Sequence, residues 1–298
     1  MRGDVLVADV KENAKVWQHE LNEYIRQGEP EAQEKSRAWQ TAIGLQAVDG
    51  LQTSEYLLDT AKEHIEGRIT INEADQRIKS YYEQKDVRKS IENSTLGEYR
   101  EADIVSVRIA ELLGEKAFQF SPVELKNIHK HLFAGVFAHA GQYRDYNITK
   151  KEWVLSGDTV IYASATSLED TLAYDFQQEK EFSYAKVAKA DDAQKQLVKH
   201  IAKFTAGIWQ IHPFCEGNTR TTAVFIIKYL RTFGFKVNND VFAQHSWYFR
   251  NALVRANYTN WEKNIHETTN YLEKFFANLL LGEQHELKNR YLHVEYKK

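Results

Sequence analysis

The residues that could do chemistry are concentrated in one short loop, within the stretch IHPFCEGNTRTTAVFIIKYLRTFGF at residues 211–235. Its polar and turn-forming members are His212, Glu216, Gly217, Asn218 and Arg220. Histidine can accept a proton near neutral pH, glycine lets backbone N–H groups turn toward an anion, and arginine donates to phosphate oxygens. The combination indicates transfer of a phosphorus group to a hydroxyl, with His212 as the general base.

The acid in this loop predicts a metal ion. Glu216 would repel a phosphate unless a divalent cation lies between them, so Mg²⁺ is expected, and Asn218 could donate to a phosphate oxygen or ligate the metal. The alternative is an ordinary loop in which Glu216 and Arg220 form an ion pair in solvent. The HKH sequence at residues 129–131 is interpreted as structural, because two histidines that are two residues apart diverge on a helix.

Two helices are expected to position this loop. The first is indicated by one apolar stripe, formed by Leu197, Ile201, Phe204 and Ile208. It is predicted to end near Trp209, and the second helix to run from about Thr219 to Phe233, with Gly234 as its C-cap. The second helix is apolar on most sides and should be the buried central helix. Its N-terminus would present unpaired N–H groups and a partial positive charge to a phosphate.

Length and composition limit the classes of function. The 298 residues are enough for one large domain or two smaller ones, and 43% hydrophobic against 27% charged residues is typical of a globular protein. A net charge of −3 gives no global attraction to nucleic acid or anionic lipid. One cysteine excludes an internal disulfide, and no signal peptide or membrane span is expected. We expect a cytoplasmic protein with no membrane and no direct nucleic-acid partner, while delivery into a host by a dedicated system stays open.

The N-terminal part reads as short helices joined by glycine turns. Helical patterns are predicted for residues 10–27, 31–48, 54–65 and 72–83, the last with Ala74, Ile78 and Tyr81 at helix spacing. The polar stretch at 84–97 is interpreted as a boundary between an N-terminal helical domain, residues 1–88, and a second domain, residues 89–298. The alternative is a solvated helix end within a single domain.

The second part is expected to be helical with one interruption. Residues 99–137 predict two helices, and Leu125, Ile128 and Leu132 form one apolar face of the second. Residues 139–164 break the pattern, because glycines punctuate them and β-prone residues flank the SGDT sequence. This segment predicts a small β-hairpin.

The loop resembles the signature of the Fic family, HxFx(D/E)GNxRxxR. The matching residues are His212, Phe214, Glu216, Gly217, Asn218 and Arg220. Residues 127–150, NIHKHLFAGVFAHAGQYRDYNITK, are similar to the family segment that leads into the flap hairpin. The resemblance covers about residues 95–270 and implies an all-α protein, a Fic-fold helical bundle with a small β-hairpin flap.

The resemblance also implies an activity. Most Fic domains transfer AMP from ATP to a Ser, Thr or Tyr hydroxyl of a target protein, so the chain is expected to be a protein adenylyltransferase that uses ATP and Mg²⁺. By resemblance, His212 is the base that deprotonates the target hydroxyl and Glu216 holds Mg²⁺. The residues implied to bind the nucleotide phosphates are Gly217, Asn218, Thr219 and Arg220. The flap implied to align the target by main-chain pairing consists of Val160, Ile161, Tyr162, Ala163 and Ser164.

Two positions depart from the family pattern. Thr219 stands where many members have glycine, and its Cβ could crowd the phosphate site; lysine there goes with a kinase-like branch in which the nucleotide is reversed. Ala223 stands where the signature ends in arginine, whose contact in the family is with the γ-phosphate. These departures imply weaker ATP binding or a different donor.

Residues 37–85 are similar to the small VbhA-type antitoxins that partner Fic toxins, here fused to the enzyme. The family's inhibitory motif is (S/T)xxxE(G/N), and its glutamate pairs with the second arginine of the signature. The corresponding stretch is LQAVDG, with Leu45, Asp49 and Gly50. Asp49 is therefore the candidate inhibitory residue, but its arginine partner is replaced by Ala223, and a carboxylate without a partner gains little from a buried site. There are two alternatives: the segment only packs as a helical domain, or it blocks nucleotide binding by its shape.

The expected function is therefore that of an adenylyltransferase with an antitoxin-like segment. A second hypothesis is a Fic-fold binding or regulatory module with little or no catalysis, and a third keeps the enzyme but changes the nucleotide donor or the transferred group. The target protein and the oligomeric state stay open, with a homo-oligomer among the alternatives.

Overall fold

The computed structural model describes residue 17 and residues 19–84, 96–182, 192–235, 237 and 241–296. The chain divides into two compact units, Met1–Lys116 and Ala117–Lys298. Within these described ranges the regular secondary structure is helical, and β-pairing is limited to two isolated bridges, Ala134 with Phe137 and Asn260 with Ile265. The all-α class is confirmed. No helix among the described residues is both long and apolar enough to cross a membrane.

The N-terminal unit is built from four labelled helices. They are α1 (Pro30–Gly44), α2 (Glu55–Ile65), α3 (Ile71–Glu83) and α4 (Leu96–Gly114). Residues 19–27 are also helical, and Leu45–Asp49 form a 3-10 turn after α1. Helix α4 packs on α1 and α3, and Trp39 of α1, Leu57 of α2 and Val105 of α4 are fully buried. The predicted helices from 31 to 83 are confirmed, while residues 10–16 of the first predicted helix lie outside the described residues.

Local sequence signals set the ends of two of these helices. The Ser54 hydroxyl accepts a hydrogen bond from the Leu57 N–H at 3.1 Å and begins α2. Thr70 and Glu73 form a capping box that begins α3. The predicted apolar face of α3 is wrong in one residue, because Tyr82 is buried whereas Tyr81 is half-exposed and stacks on Tyr56 with ring centroids 4.4 Å apart.

The predicted domain boundary at residue 88 lies outside the described residues. The division between the two compact units falls after Lys116, and α4 packs on α1 and α3 of the N-terminal unit. The helix α4 is thus part of the N-terminal unit, although the sequence analysis assigned its residues to the second domain.

Six further helices are labelled among the described residues of the C-terminal unit. They are α5 (Pro122–Phe133), α6 (Leu168–Glu181), α7 (Ala193–Ile211), α8 (Asn218–Thr232), α9 (Val241–Ala256) and α10 (Asn270–Leu281). Helix α8 packs on α5 and α7, and α7 also packs on α6, α9 and α10. Residues 218–230 are all buried, so the prediction of a buried central helix is confirmed. Phe233 is an exception with 41% exposure, because α8 ends at Thr232 and Gly234 turns the chain at a φ of 81°.

The β-hairpin predicted within residues 139–164 is wrong: all of these residues are described, and none lies in a strand. Instead Trp153–Leu155 form a 3-10 turn, and the Glu152 N–H donates to the Asp158 carbonyl at 2.9 Å. Val154 and Leu155 are adjacent and both buried, which is incompatible with the alternating pattern of a half-exposed strand. The Val154 carbonyl accepts instead from the Val294 N–H at 3.0 Å.

Candidate active site

The loop between α7 and α8 is held by two left-handed residues, one at each end. His212 follows α7 with φ 51° and ψ 57°, and Gly217 precedes α8 with φ 73°. Gly217 is required for space as well as conformation, because a Cβ there would lie 2.3 Å from Cε2 of Phe133. The first intrahelical hydrogen bond of α8 runs from the Thr221 N–H to the Gly217 carbonyl at 3.0 Å. The preceding N–H groups are therefore directed out of the helix end, where they can receive an anion.

The imidazole of His212 is buried in the tautomer that a general base needs. Its Nδ1 lies 3.3 Å from the Trp209 carbonyl, which can only accept, so Nδ1 carries the proton and Nε2 keeps its lone pair. Within the described part of the chain, the buried Nε2 has no hydrogen-bond partner. Burial lowers the pKa of His212 well below its ordinary value, and the nearby ammonium of Lys150 lowers it further. The ring is thus neutral near pH 7 and able to accept a proton.

A second histidine, His129, holds the loop in place through a hydrogen bond and a ring contact. The Gly141 N–H donates to His129 Nδ1 at 2.8 Å, so the proton is on Nε2, which donates to the Glu216 carbonyl at 3.1 Å. The His129 ring stacks on Phe214 with centroids 3.7 Å apart, and both side chains are buried. Burial lowers the pKa of His129 to about 4, so this ring stays neutral. The structural interpretation of His129 is consistent with these contacts, and Phe214 anchors the loop in the core.

The first residues of α8 brace the loop with their side chains. Asn218 Nδ2 donates to the Phe214 carbonyl at 2.7 Å, and its Oδ1 accepts from the Phe214 N–H at 3.0 Å. The Thr219 hydroxyl accepts from the indole N–H of Trp209 at 3.0 Å, so it is directed toward α7. Asn218 therefore shapes the loop through both of its polar atoms, a role that the sequence analysis did not assign to it.

The two charged residues of the loop lie in different environments. Glu216 is 56% exposed at its side chain and pairs with Lys150 at 3.3 Å, whereas Arg220 is buried with its Cζ 4.8 Å from the centroid of the Phe133 ring. The alternative in which Glu216 and Arg220 pair in solvent is therefore wrong. Arg220 lies in the first turn of α8, where its positive charge adds to that of the helix end.

The carboxylate of Glu216 is suited to a metal ion that is held jointly by the protein and by the phosphate oxygens of a bound nucleotide. Among the described residues there is no group of three or more His, Cys, Asp or Glu side chains that could enclose a metal. Mg²⁺ fits such a place, because it commonly keeps most of its water and binds through one or two carboxylates together with phosphate oxygens. The acid is also accessible at the rim of the loop.

The segment at residues 160–164 lies beside His212. The Tyr162 ring is 4.5 Å from the His212 ring, and its hydroxyl donates to the buried carboxylate of Glu152 at 3.3 Å. Glu152 also accepts from Arg250 at 2.6 Å. Val160 is buried and Ile161 is 83% exposed, so these two neighbouring side chains face opposite sides of the segment. Among the described residues, no group accepts a hydrogen bond from the backbone N–H groups of residues 160–164.

Several residues that the fold brings to this loop were not predicted from the sequence. They are Arg144, Lys150, Glu152 and Arg250. No spacing pattern marks them, because they come from the segment after α5 and from α9, far from the loop in sequence. The candidate inhibitory residue Asp49 belongs to the N-terminal unit, where it is exposed at the end of the 3-10 turn that buries Leu45. Its role stays a prediction.

Residues 119–230, which contain this loop and the segment beside it, match the model of the Fic/DOC family. This part of the chain is a Fic/DOC family domain. The chain is similar to a Fic domain containing signaling protein from Bacteroides thetaiotaomicron, with 13% identity, a TM-score of 0.50, and coverage of 92% of this chain and 94% of that chain. The likeness shows the Fic fold.

Two further solved structures are similar to part of the chain. The N-terminal Fic domain of Bep8, a VirB-translocated effector protein from Bartonella sp. 1-1C, is 19% identical with a TM-score of 0.43, covering 59% of this chain and 81% of its own. The N-terminal Fic domain of an effector from Bartonella sp. AR 15-3 is 18% identical with a TM-score of 0.42, covering 70% and 81%. No curated protein matches the sequence.

Proposed function

We propose that the chain is a protein adenylyltransferase, which transfers AMP from ATP to a Ser, Thr or Tyr hydroxyl of a target protein. The observation that carries the proposal is the buried, uncharged Nε2 of His212, held beside the open N-terminus of α8. A base with a free lone pair and an anion site in one loop are the two elements that phosphoryl-type transfer requires.

His212 Nε2 removes the proton of the target hydroxyl as the hydroxyl oxygen bonds to the α-phosphorus of ATP. The bond from the α-phosphorus to the bridging oxygen breaks, and pyrophosphate leaves with that electron pair. Mg²⁺, bound through Glu216, supplies charge neutralisation for the phosphate chain. The N–H groups around Gly217 and Thr219 hold the α-phosphate, and Arg220 adds a buried positive charge. Asn218 keeps the loop in the shape that this binding needs.

The target is expected to pair with the main chain at residues 160–164. The unpaired N–H groups and the exposed Ile161 resemble the edge that an extended peptide can join. Gln210 Nε2 donates to the Ile161 carbonyl at 3.1 Å and keeps this edge next to α7. An acceptor residue bound there lies beside His212, because Tyr162 contacts the His212 ring.

A second candidate function is a Fic-fold binding or regulatory module with weak or no catalysis. It is favoured by position 223, where the fully buried Ala223 offers no charge to a nucleotide's terminal phosphate. The same observation favours a third candidate, an enzyme that uses another nucleotide donor or transfers another group. For each candidate function we propose that the N-terminal segment controls the activity through Asp49. We also propose that the protein acts in the cytoplasm.

The proposal is tested by the intact mass of the purified protein after incubation with Mg²⁺ and ATP, beside His212→Ala. Self-modification makes an identified target unnecessary. We expect an added AMP mass in the wild type and none in His212→Ala, with nucleotide binding retained in both. An added phosphate mass would assign another transferred group, and nucleotide binding without any adduct in the presence of candidate targets would assign the binding module.

A further inference from the structure

The side chain of Arg144 is buried and bound almost entirely by backbone carbonyls. Its residue is 3% exposed, and its guanidinium donates to the carbonyls of Tyr146, Ala163, Ile211 and His212. The Nε contact to His212 is 2.8 Å and the Nη2 contact to Ile211 is 3.3 Å. The backbone N–H of Arg144 also donates to the Pro213 carbonyl at 2.9 Å. One residue thus binds three successive carbonyls of the catalytic loop.

The conformation at the catalytic histidine needs such support. His212 has a φ of 51°, and a left-handed conformation is unfavourable for a residue other than glycine. It persists only where the surroundings determine it. The carbonyls on both sides of the Cα of His212 are those that Arg144 holds, so the two peptide planes that define this turn are fixed by one planar group.

The same guanidinium also reaches the segment beside the loop. Its Nη2 donates to the carbonyl of Ala163, within residues 160–164, and its Nη1 to that of Tyr146 at 2.8 Å. Lysine could not replace it. The planar guanidinium donates to carbonyls of three separate segments at once, and a single ammonium cannot reach all three. Burial lowers the pKa of Arg144, but a guanidinium starts from so high a pKa that the group remains charged near neutral pH.

We infer that Arg144 is a positioning residue for the reaction: it holds His212 in the left-handed turn that aims Nε2, and it ties that turn to the segment at 160–164. The inference rests on the proposed function only for what His212 does. Its physical content is the orientation of one imidazole ring, which can be measured without any transfer.

The test compares Arg144→Met and Arg144→Lys with the wild type. The first readout is the ¹⁵N NMR spectrum of the histidine rings during a pH titration, with His212 assigned by its loss in His212→Ala. The wild type should show one tautomer, protonated on Nδ1, and no titration near pH 6.5. In Arg144→Met we expect a mixture of tautomers and a titration that moves toward the ordinary histidine range, with Arg144→Lys between them.

The second readout is the rate of transfer, measured with the Kd of ATP. Misplacement of a catalytic group by about 1 Å costs on the order of 100-fold, so we expect a fall of that size in Arg144→Met with the Kd changed by less than about 3-fold. Leu172→Ala, which removes a fully buried side chain of α6, serves as the control for lost stability. It should leave the His212 spectrum unchanged.

An unchanged His212 spectrum in Arg144→Met would overturn the inference, whatever happens to the rate. A changed spectrum in Leu172→Ala as well would also overturn it, because the effect would then follow stability. If the His212 ring responds as expected but the wild type transfers no AMP, the positioning role stands and the proposed function fails.

Discussion

Trp209 and the ring of His212 are linked by one hydrogen bond, in which His212 Nδ1 donates to the backbone carbonyl of Trp209 at 3.3 Å. The indole N–H of Trp209 donates in turn to the Thr219 hydroxyl at 3.0 Å. Trp209 therefore connects the last turn of α7, His212 and the first turn of α8. His212 and the N-terminus of α8 are thus held together by the side chain and the backbone of this one residue.

The pH dependence of transfer should show a base with a low pKa. Burial lowers the pKa of His212, so the ring becomes protonated, and transfer is lost, only at a pH well below 6.5. We expect kcat/KM to stay constant from about pH 8 down to about pH 6, where an ordinary histidine would already be partly protonated. A rate profile from pH 4.5 to 8.5 measures this. An acid limb centred near pH 6.5 would contradict the prediction.

Gly217→Ala should be more destabilising than the same substitution at a glycine of equal φ. Gly135 has a φ of 72° with open space around it, so Gly135→Ala reports conformational strain alone, about 1–2 kcal/mol. Gly217→Ala adds a contact of 2.3 Å with the Phe133 ring, which should cost about 1–3 kcal/mol more. Urea unfolding of both variants gives the difference.

The clash at position 217 can be isolated with a double-mutant cycle. Phe133→Leu in the Gly217→Ala background should restore part of the stability, because a smaller side chain leaves room for the Cβ. Additive effects of the two substitutions would mean that Phe133 is not the source of the cost.

Metal affinity should respond in opposite directions to the two members of the surface ion pair. Lys150 and a divalent cation would compete for the Glu216 carboxylate, so Lys150→Met should lower the Mn²⁺ concentration for half-saturation about 3-fold, as expected for a pair worth under about 1 kcal/mol. Glu216→Gln should raise it at least about 10-fold. Both are measured by electron paramagnetic resonance of Mn²⁺ with ATP and protein. Lys151→Met is the matched control, because Lys151 is the next residue after Lys150, is exposed and carries the same charge. Equal effects of the two lysines would mean that the contact with Glu216 is irrelevant.

The N-terminal unit should lose stability as the pH rises from about 4 to about 6. Burial raises the pKa of Asp103 from 3.8 to about 6, although hydrogen bonds from Ser54 and Tyr82 act in the opposite direction. An acid with a raised pKa stabilises the fold below its unfolded pKa, and this contribution is lost as pH rises through the folded one. Two pKa units correspond to about 3 kcal/mol.

Chemical denaturation of the wild type and Asp103→Asn between pH 4 and 7 checks this prediction. The difference between the two free energies of unfolding should change by a few kcal/mol over that range, because asparagine does not titrate. A difference that is independent of pH would show that Asp103 keeps its ordinary pKa in the folded protein.

Much of this protein could be read from residue types and spacing. Apolar stripes at helix spacing predicted α7 and α8, and a turn of glycine and asparagine between them predicted the loop of His212 and Glu216. These features are local, since a helix and its caps depend on residues within a few positions. The spacing of the Fic signature is local in the same way, and it identified the family domain.

The hairpin prediction failed because strands depend on their partners. Val154 and Val160 have the β-propensity of strand residues, but both side chains are buried in the core of the C-terminal unit. The carbonyl of Val154 binds a residue 140 positions away, Val294, which no local pattern could indicate.

The sequence by itself determined the helices, the loop and the residue types for acid–base and anion chemistry, because these follow from local periodicity and backbone preference. Only the tertiary structure decided which nitrogen of His212 is free, that Glu216 meets Lys150, and that Arg144 holds the turn. Tautomer, burial and hydrogen-bond partners depend on groups that are distant in the chain and meet only in the packed molecule.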